Sequence, residues 1–348
     1  MRIEMKTKFV LVTLGAVLLF SVLPVYAQTD WEVVKTFQIG GPGNWDYFTV
    51  DSVTHRLFVT RSTHTMVIDS ESGKTLADIP GQKGAHGVAI VPHAGRGFIS
   101  DGGGDGAVVI FDLKTYAVLG SIVTQPDTDG IIFDPSSGRI VFVSGDGGTL
   151  MTIKPDIDPG SGKIDAPIVL GGKPEFLASD GAGKVYVNLV DKNEVVVVDM
   201  KSRKVVARWP VAPGGSPVGM TIDTKKHRLF IGCRKPQKLI VMSTDDGKVL
   251  ADLPIGAGVD ATKMDDGEAF ASCRDGSLAV VSETSPGKFA VVQTVKTGQG
   301  AGTMGVDSPT HRIYLPTADY EEVKPGATGR PKMIPGTFKI IVVALHAP

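Results

Sequence analysis

Five ionisable residues recur at one place in a repeated pattern, and their types are those that bind cations or move protons. Each stands five residues before the turn motif that the pattern repeats, at the predicted start of a strand. The five residues are Asp46, His86, Asp129, Glu175 and Asp260. Converging carboxylate oxygens and one imidazole nitrogen suit a divalent cation, either a hard ion such as Ca²⁺ or, with histidine, a borderline metal. Crowded carboxyl groups also raise one another's pKa, which favours acid or base chemistry. The alternative is a polar lining that caps strand amides.

The predicted metal ligands are a subset of these residues: Asp129, Glu175, Asp260 and His86. A second set adds positive charge at the same end of the strands: Arg61, Arg234, Arg274 and, beside the first of them, His64. An acidic centre with a basic rim is suited to a small polar or anionic ligand, because arginine would meet its charge and carboxylates its hydroxyl groups. Ordinary solvated surface charge is the alternative for the rim.

These residues are positioned by an internal repeat. The stretch "VDSVTHRLFVT" at residues 50–60 is nearly rewritten as "VDSPTHRIYLPT" at residues 306–317. Seven such marks follow one another at spacings of 40, 43, 45, 44, 40 and 44 residues, centred on Arg56, Arg96, Arg139, Lys184, Arg228, Glu268 and Arg312. The histidines within the marks, His55, His227 and His311, are interpreted as turn residues rather than as catalytic groups.

Each repeat predicts four short strands, because two runs of alternating β-formers flank the mark and two more flank a polar turn. Four strands in 40 to 45 residues, repeated seven times, predict an all-β chain with the fold of a seven-bladed β-propeller. The last repeat runs out after its third strand, in "FKIIVVALHAP". Residues 32–39, "EVVKTFQI", are therefore predicted to supply the fourth strand of that blade and so to close the ring.

The stretch "KVYVNLVDKNEVVVVDMKSRKVVARWPV" at residues 184–211 resembles the YVTN-repeat, or YncE-like, family of exported bacterial seven-bladed propellers. The resemblance covers essentially the whole mature chain, although the YVTN tetrad occurs only in the form "VYVN". It implies the fold rather than an activity, since the family includes binding and surface proteins and borders on lactonase-like enzymes.

The N-terminus has the composition of a signal peptide, residues 1–27. Basic residues precede an apolar run at residues 9–25, and Val25-Tyr26-Ala27 fits a cleavage site. We therefore expect a periplasmic or secreted protein whose residues 28–348 form a single domain, with no membrane span after cleavage. A formal net charge of -1 gives no indication of nucleic-acid binding, and we expect a monomer.

Two further features leave alternatives open. Cys233 and Cys273 occupy equivalent places in adjacent repeats, which is compatible with a disulfide in an exported protein or with two unpaired thiols. Residues 316–337, between two strands of the last repeat, form a long loop rich in proline and glycine. This loop is interpreted as a lid or partner-docking arm over the channel mouth, or else as a surface excursion.

The leading functional expectation is an exported propeller that binds a small polar ligand, a metal ion or a protein partner at the channel mouth. The first alternative is a metal-dependent hydrolase of the lactonase type, in which the cation polarises a carbonyl group and a neighbouring carboxylate activates water. The second is a purely structural platform for an envelope protein partner. Sequences typical of a phosphate-binding loop, a G-x-S-x-G nucleophile elbow or an H-E-x-x-H zinc site do not occur.

Overall fold

The structure, a computed structural model, describes residue 1, residues 30–322 and residues 332–346. Within them the chain is all-β, with two short 3₁₀ helices, Pro92–Ala94 and Ser308–Thr310. The described part of the chain contains no helix with the length and hydropathy of a membrane-spanning segment. The predicted signal peptide lies, apart from Met1, outside the described residues.

The described strands number 27 and are short, because turns punctuate the runs of β-branched and aromatic residues. In chain order they are β1 (Trp31–Gln38), β2 (Phe48–Asp51), β3 (Arg56–Thr60), β4 (Ser62–Asp69), β5 (Thr75–Val91), β6 (Arg96–Asp101), β7 (Ala107–Asp112), β8 (Val118–Val123), β9 (Thr128–Asp134), β10 (Arg139–Ser144), β11 (Thr149–Ile153), β12 (Ile168–Val169), β13 (Pro174–Ser179), β14 (Lys184–Leu189), β15 (Glu194–Asp199), β16 (Lys204–Pro210), β17 (Pro217–Asp223), β18 (Arg228–Arg234), β19 (Gln237–Ser243), β20 (Val249–Pro254), β21 (Val259–Asp265), β22 (Glu268–Cys273), β23 (Ser277–Ser285), β24 (Lys288–Lys296), β25 (Gly305–Asp307), β26 (Arg312–Thr317) and β27 (Lys339–Leu345).

These strands form antiparallel sheets that follow one another along the chain. Four sheets of four strands are β9 to β12, β13 to β16, β17 to β20 and β21 to β24, and a fifth has the order β1-β27-β26-β25. One sheet of seven strands contains β2 to β8. The all-β prediction and the four-stranded antiparallel sheets are confirmed, and the arrangement is consistent with a β-propeller.

The seven-stranded sheet arises because β5 pairs on both sides with different parts of its length. Its first part pairs with β4, from Thr75 opposite Ile68 to Pro80 opposite His64. Its second part pairs with β6, up to Val91 opposite Arg96. The long strand thus joins two four-stranded arrays without a break between them.

The first and last described strands pair with each other. Strand β1 runs antiparallel to β27, from Trp31 opposite Leu345 to Gln38 opposite Lys339. The buried Trp31 donates its indole Nε1–H to Glu268 Oε2 at 2.7 Å, and its backbone N–H and C=O bond to the Gln293 side chain. The N-terminal strand is therefore fixed to two sheets.

The hydrophobic core lies between successive sheets. Valine, leucine, isoleucine and phenylalanine from facing strands form separate clusters, such as Val143 and Leu150 with Val187 and Val196. The sheet of β25 to β27 packs in the same way against β2 and β3. Every first strand of a repeat also contacts the first strand of the next, and β25 contacts β2.

The three histidines of the repeat marks occupy turns at the far ends of these first strands. His55, His227 and His311 have φ values of 57°, 57° and 49°, in the left-handed region that a tight turn requires. Two of them bond to nearby carboxylates, at 2.8 Å for His227 with Asp245 and 2.6 Å for His311 with Asp265. Their geometry is that of turn residues.

Cys233 and Cys273 are free and buried. Burial raises the pKa of each thiol to about 12, so both remain protonated and unreactive at neutral pH. The structure thus contains the two unpaired thiols, not the disulfide.

Replacing Trp31 with alanine tests the contribution of β1. We expect the free energy of unfolding to fall by about 3–5 kcal/mol, because the change removes a buried indole and leaves Glu268 without its donor. Val34→Ala on the same strand is the control, since that side chain is exposed. Urea denaturation midpoints measure both, and equal midpoints for the two variants would contradict the role assigned to Trp31.

Candidate functional site

The first strand of each repeat begins at one end of the molecule, and side chains from these beginnings meet there. Asp46 precedes β2. The other four lie near the starts of the first strands of their repeats, which for His86 is the second part of β5: His86, Asp129, Glu175 and Asp260. Since neighbouring first strands contact one another, residues at the same register come close together.

Hydrogen bonds between repeats fix this register. Three side chains at or near the ends of second strands donate to backbone carbonyls at or near the start of the first strand of the following repeat: Thr60 Oγ1 to His86 O at 3.0 Å, Asn188 Nδ2 to Val218 O at 2.7 Å, and Ser272 Oγ to Gly302 O at 2.5 Å. Sequence reasoning did not identify these anchors. The sequence feature that could have revealed them is the small polar residue at or near the end of the second strand in most repeats.

Asp46, His86 and Asp129 form one half of the site. His86 Nδ1 lies 2.7 Å from Asp46 Oδ2 and 3.5 Å from Asp129 Oδ1. One ligand atom from each residue falls within 4.8 Å of the others, a separation that one metal ion can bridge. Asp129 Oδ1 is buried and has no hydrogen-bond partner. The cluster can therefore accept a proton or a cation.

The net effect of burial and charge is to raise the pKa values of both Asp129 and His86. Burial raises the pKa of Asp129 well above its ordinary value; the charge of His86 lowers it, and the charges of Asp46, Glu175 and Asp127 raise it. For His86, burial favours the neutral ring, but the hydrogen bond to Asp46 and the charges of Asp129 and Asp46 outweigh it and raise the pKa to about 9. The imidazolium form is therefore present at neutral pH.

Asp260 and two arginines form the other half. The Asp260 side chain is only 5% exposed and accepts hydrogen bonds from Arg234 and from Arg274, one on each carboxylate oxygen. Arg234 also donates Nε–H to Val259 O at 3.1 Å and lies 3.9 Å from Glu175 Oε1. The carboxylate is thus held between two guanidinium groups.

Gly302 supplies the space for this arrangement. A Cβ atom at this position would lie 2.8 Å from Arg274 Cγ and 3.1 Å from Asp260 Cβ, both too close. Arg274 Nε is buried and has no hydrogen-bond partner. One donor of the pair of arginines is therefore left for another acceptor.

A cavity of about 1020 Å³, here called the mouth cavity, opens over the arginines. Its lining includes Trp45, Asp46, Arg234, Arg274, Tyr320 and Met333. Tyr320 and Met333 belong to the long loop of the last repeat and pair with each other. Residues 323–331 of the predicted lid lie outside the described residues.

Arg61 and His64 lie elsewhere. Arg61 is fully buried, donates to the carbonyl oxygens of residues 40–44 and stacks 3.7 Å from the Phe338 ring centroid. It holds the loop that leads to Asp46. His64 lies 3.8 Å from Asp78 on the adjoining part of β5. Neither residue lines the mouth cavity, whose lining contains Asp46, Arg234 and Arg274 of the nine predicted site residues. His86, Asp129, Glu175 and Asp260 adjoin these three through ion pairs.

Sequence reasoning also missed an ion pair beside the acidic half. Lys173 Nζ lies 3.1 Å from Asp127 Oδ2, and the Asp127 charge contributes to the raised pKa of His86. Asp127 stands two residues before the predicted position Asp129, so the repeat register gave no signal for it.

Of the predicted metal ligands, only His86 and Asp129 belong to the metal-sized cluster, and Asp46 is its third member. Asp260 is instead paired with two arginines, and Glu175 faces Arg234. The structure therefore separates an acid–imidazole half, Asp46, His86 and Asp129, from an arginine half, Asp260, Arg234 and Arg274.

Comparison with known proteins gives weak sequence similarity and a clear similarity of fold. No family model matches the chain. Two curated relatives, both named uncharacterized protein YncE, from Salmonella typhi and Salmonella typhimurium, are 22% identical over 232 residues. The match covers 60% of this chain and 62% of each relative, less than two thirds of their length. The comparison is thus one of weak homology to a propeller-type protein.

Among solved structures, hydrazine synthase of Kuenenia stuttgartiensis superposes with a TM-score of 0.67. It is 14% identical in sequence, and the match covers 79% of this chain and 92% of that one. At this identity the similarity concerns the fold alone, which is all-β and propeller-like.

His86 provides a pH test of the acid–imidazole half. We expect its imidazole to titrate near pH 9, and the midpoint to fall toward the ordinary 6.5 in Asp46→Asn. Because the pKa is raised on folding, this interaction stabilises the fold fully below pH 6.5, and the stabilisation is lost as the pH rises through about 9.

Long-range ¹H–¹⁵N NMR, with His86→Gln to assign the signal, measures the midpoint. Asp78→Asn, beside His64, is the control and should leave the His86 midpoint unchanged. A wild-type midpoint at or below 6.5 would contradict the proton-binding role of the cluster.

Proposed function

We propose that this protein is an exported, YncE-like, seven-bladed propeller whose mouth cavity binds a small molecule that has an anionic group. The observation that supports binding is the arginine half: two guanidinium groups share one carboxylate beneath a large cavity, and Arg274 Nε has no partner.

The count of seven blades follows from dividing β5. If residues 75–80 and 85–91 are treated as two strands, the 27 strands become 28, in seven groups of four. The contacts between first strands run through all seven groups, and the pairing of β1 with β27 supplies the fourth strand of the last group. We infer a seven-bladed ring that the pairing of β1 with β27 closes, with the outer strand of each blade as a short edge, and we expect a monomer.

The charge of the arginine half favours an anion. Asp260 can neutralise only one of its two guanidinium groups, and Glu175 approaches Arg234 at 3.9 Å without a hydrogen bond. A carboxylate or similar group beside Arg234 and Arg274 would accept charge-assisted hydrogen bonds from their guanidinium groups. Arginine geometry favours planar, two-oxygen acceptors over single charges.

The opposite wall of the mouth cavity is suited to an apolar ligand body. Trp45 packs against Phe338 with ring centroids 5.2 Å apart, and Tyr320 and Met333 complete this side. The volume, about 1020 Å³, matches cavities that enclose drug-sized molecules. A ligand with one anionic end and a ring or short chain therefore fits best.

Export is part of the proposal. The predicted signal peptide places the domain in the periplasm or outside the cell, and the chain has no excess of basic residues for nucleic acid. In that location the ligand would reach the mouth cavity directly from the surroundings. An envelope protein that docks on the same face, with the ring as a platform, is the corresponding partner hypothesis.

Matched ligands test the proposal. We expect benzoate to bind to the protein, benzamide to bind at least tenfold more weakly, and Arg274→Gln to weaken benzoate by a similar factor, because each change removes a charge-assisted hydrogen bond. Ligand-observed NMR and isothermal titration calorimetry measure this. Arg56→Gln, at the opposite end of the strands, is the control. Equal binding of benzoate and benzamide would contradict the proposal.

The second candidate is a metal-dependent hydrolase of the lactonase type, for which the observation is the acid–imidazole half. Three ligand atoms lie within 4.8 Å of one another, and the buried Asp129 Oδ1 has no partner. A bound cation would supply Lewis-acid chemistry at this point. The charges of Asp260 and Glu175 are already engaged by arginine, so the remaining ligands would be water or substrate.

Metal titration tests this candidate independently of benzoate. Dialysed protein should bind Zn²⁺, or Ca²⁺, with one-to-one stoichiometry, and Asp129→Asn should weaken binding at least tenfold, because it removes the unpartnered oxygen. Asp252→Asn, on an outer strand, is the control. Calorimetry that detects no stoichiometric site rejects the candidate, whatever the outcome with benzoate.

A further inference from the structure

A second cavity, of about 200 Å³, lies among the first strands below the mouth cavity. Its lining is mostly aliphatic and aromatic and includes Tyr47, Val88, Ile132 and Phe176. Lys263 is the only charged residue among those that line it. The Lys263 side chain, on strand β21, therefore places an amine in an apolar cavity.

The ammonium group of Lys263 has no polar partner in the described part of the chain. Its Nζ lies over the Phe176 ring, 5.5 Å from the centroid, and no hydrogen bond or ion pair holds it. Burial alone lowers the pKa of this amine. A lysine in such surroundings has more of the neutral, nucleophilic form at pH 7 than a lysine in water.

Two aromatic rings separate this amine from the carboxylates above. Tyr47 and Phe176 pack with ring centroids 4.8 Å apart, and Tyr47 is buried. Burial and the charges of Asp129, Glu175, Asp46 and Asp260 raise the pKa of the Tyr47 phenol well above its ordinary value, so it remains neutral. The negative charge of the mouth therefore stays on one side of the rings and Lys263 on the other.

The backbone around Lys263 is fixed. Thr262 is buried and donates its hydroxyl to Phe230 O of the preceding sheet at 3.1 Å, while Lys263 itself pairs with Phe270 in the ladder. Its side chain is half-buried, so small molecules in the chamber can reach it. The amine is held at one wall of a preformed cavity, as a covalent binding site requires.

We propose that Lys263 binds a small aldehyde or ketone in the second cavity as a reversible imine, a site beyond the function proposed above. The neutral Nζ attacks the carbonyl carbon and forms a C–N bond. After proton transfer from nitrogen to oxygen, the carbonyl oxygen leaves as water and the C=N bond forms. The step needs no oxidant or reductant, and the cavity volume limits the ligand to a few carbon atoms.

Reductive trapping of the full-length protein tests the proposal. The protein is incubated at pH 7.5 with butanal and sodium cyanoborohydride, which reduces imines, and labelled peptides are quantified by mass spectrometry. We expect Lys263 to be labelled faster than the exposed Lys225, since a lowered pKa leaves more of the amine in its free form and the cavity holds the aldehyde beside it. Labelling of Lys263 at or below the rate of Lys225 would overturn the proposal.

Three variants sharpen the result. Lys263→Met should lose this label while Lys225→Met keeps it, with circular dichroism to check folding. Arg274→Gln, which is expected to weaken benzoate, should leave the Lys263 rate unchanged, because the arginine lies in the other cavity. If Lys263→Met does not fold, the comparison of the labelling rates of Lys263 and Lys225 in the wild-type protein still tests the proposal.

Discussion

The buried carboxylate of Asp260, held between Arg234 and Arg274, is the interaction on which the rest of the site depends. A charge this deeply buried is tolerated only with partners that satisfy both of its oxygens. Those partners require space, which the missing side chain of Gly302 provides. Once bound to Asp260, Arg274 keeps one buried donor, Nε–H, without an acceptor, and the proposed anion site rests on the two guanidinium groups that line the mouth cavity.

Charge balance relates this half of the site to the other. Four carboxyl groups meet three cations at the mouth: Asp46, Asp129, Glu175 and Asp260 with His86, Arg234 and Arg274. With all groups ionised one negative charge remains, and the raised pKa values of Asp46, Asp129 and Glu175 favour protonation among these three carboxyl groups. The aromatic pair of Tyr47 and Phe176 lies between these groups and the second cavity. The first strands of the repeats thus hold two environments of opposite character.

Much of the fold and of the site could be predicted from the sequence, since the repeat shows how far along its strand each residue stands. The register predicted that Asp46, His86 and Asp129 lie together, because the starts of neighbouring first strands lie side by side. It failed for Arg61, since spacing gives a residue's height but not the direction of its side chain. Ser62 has a φ of 58°, and Arg61 turns inward against residues 40–44. Tyr320 and Met333 lie in an irregular loop that has no register, so no spacing could place them.

A crystal structure of the protein with bound benzoate tests the central claim most directly. We predict the carboxylate within hydrogen-bond distance of the Arg234 or Arg274 guanidinium group, the phenyl ring against Trp45, and both guanidinium groups still on Asp260. Benzoate bound away from the arginines, or Arg234 and Arg274 turned away from Asp260, would contradict the account.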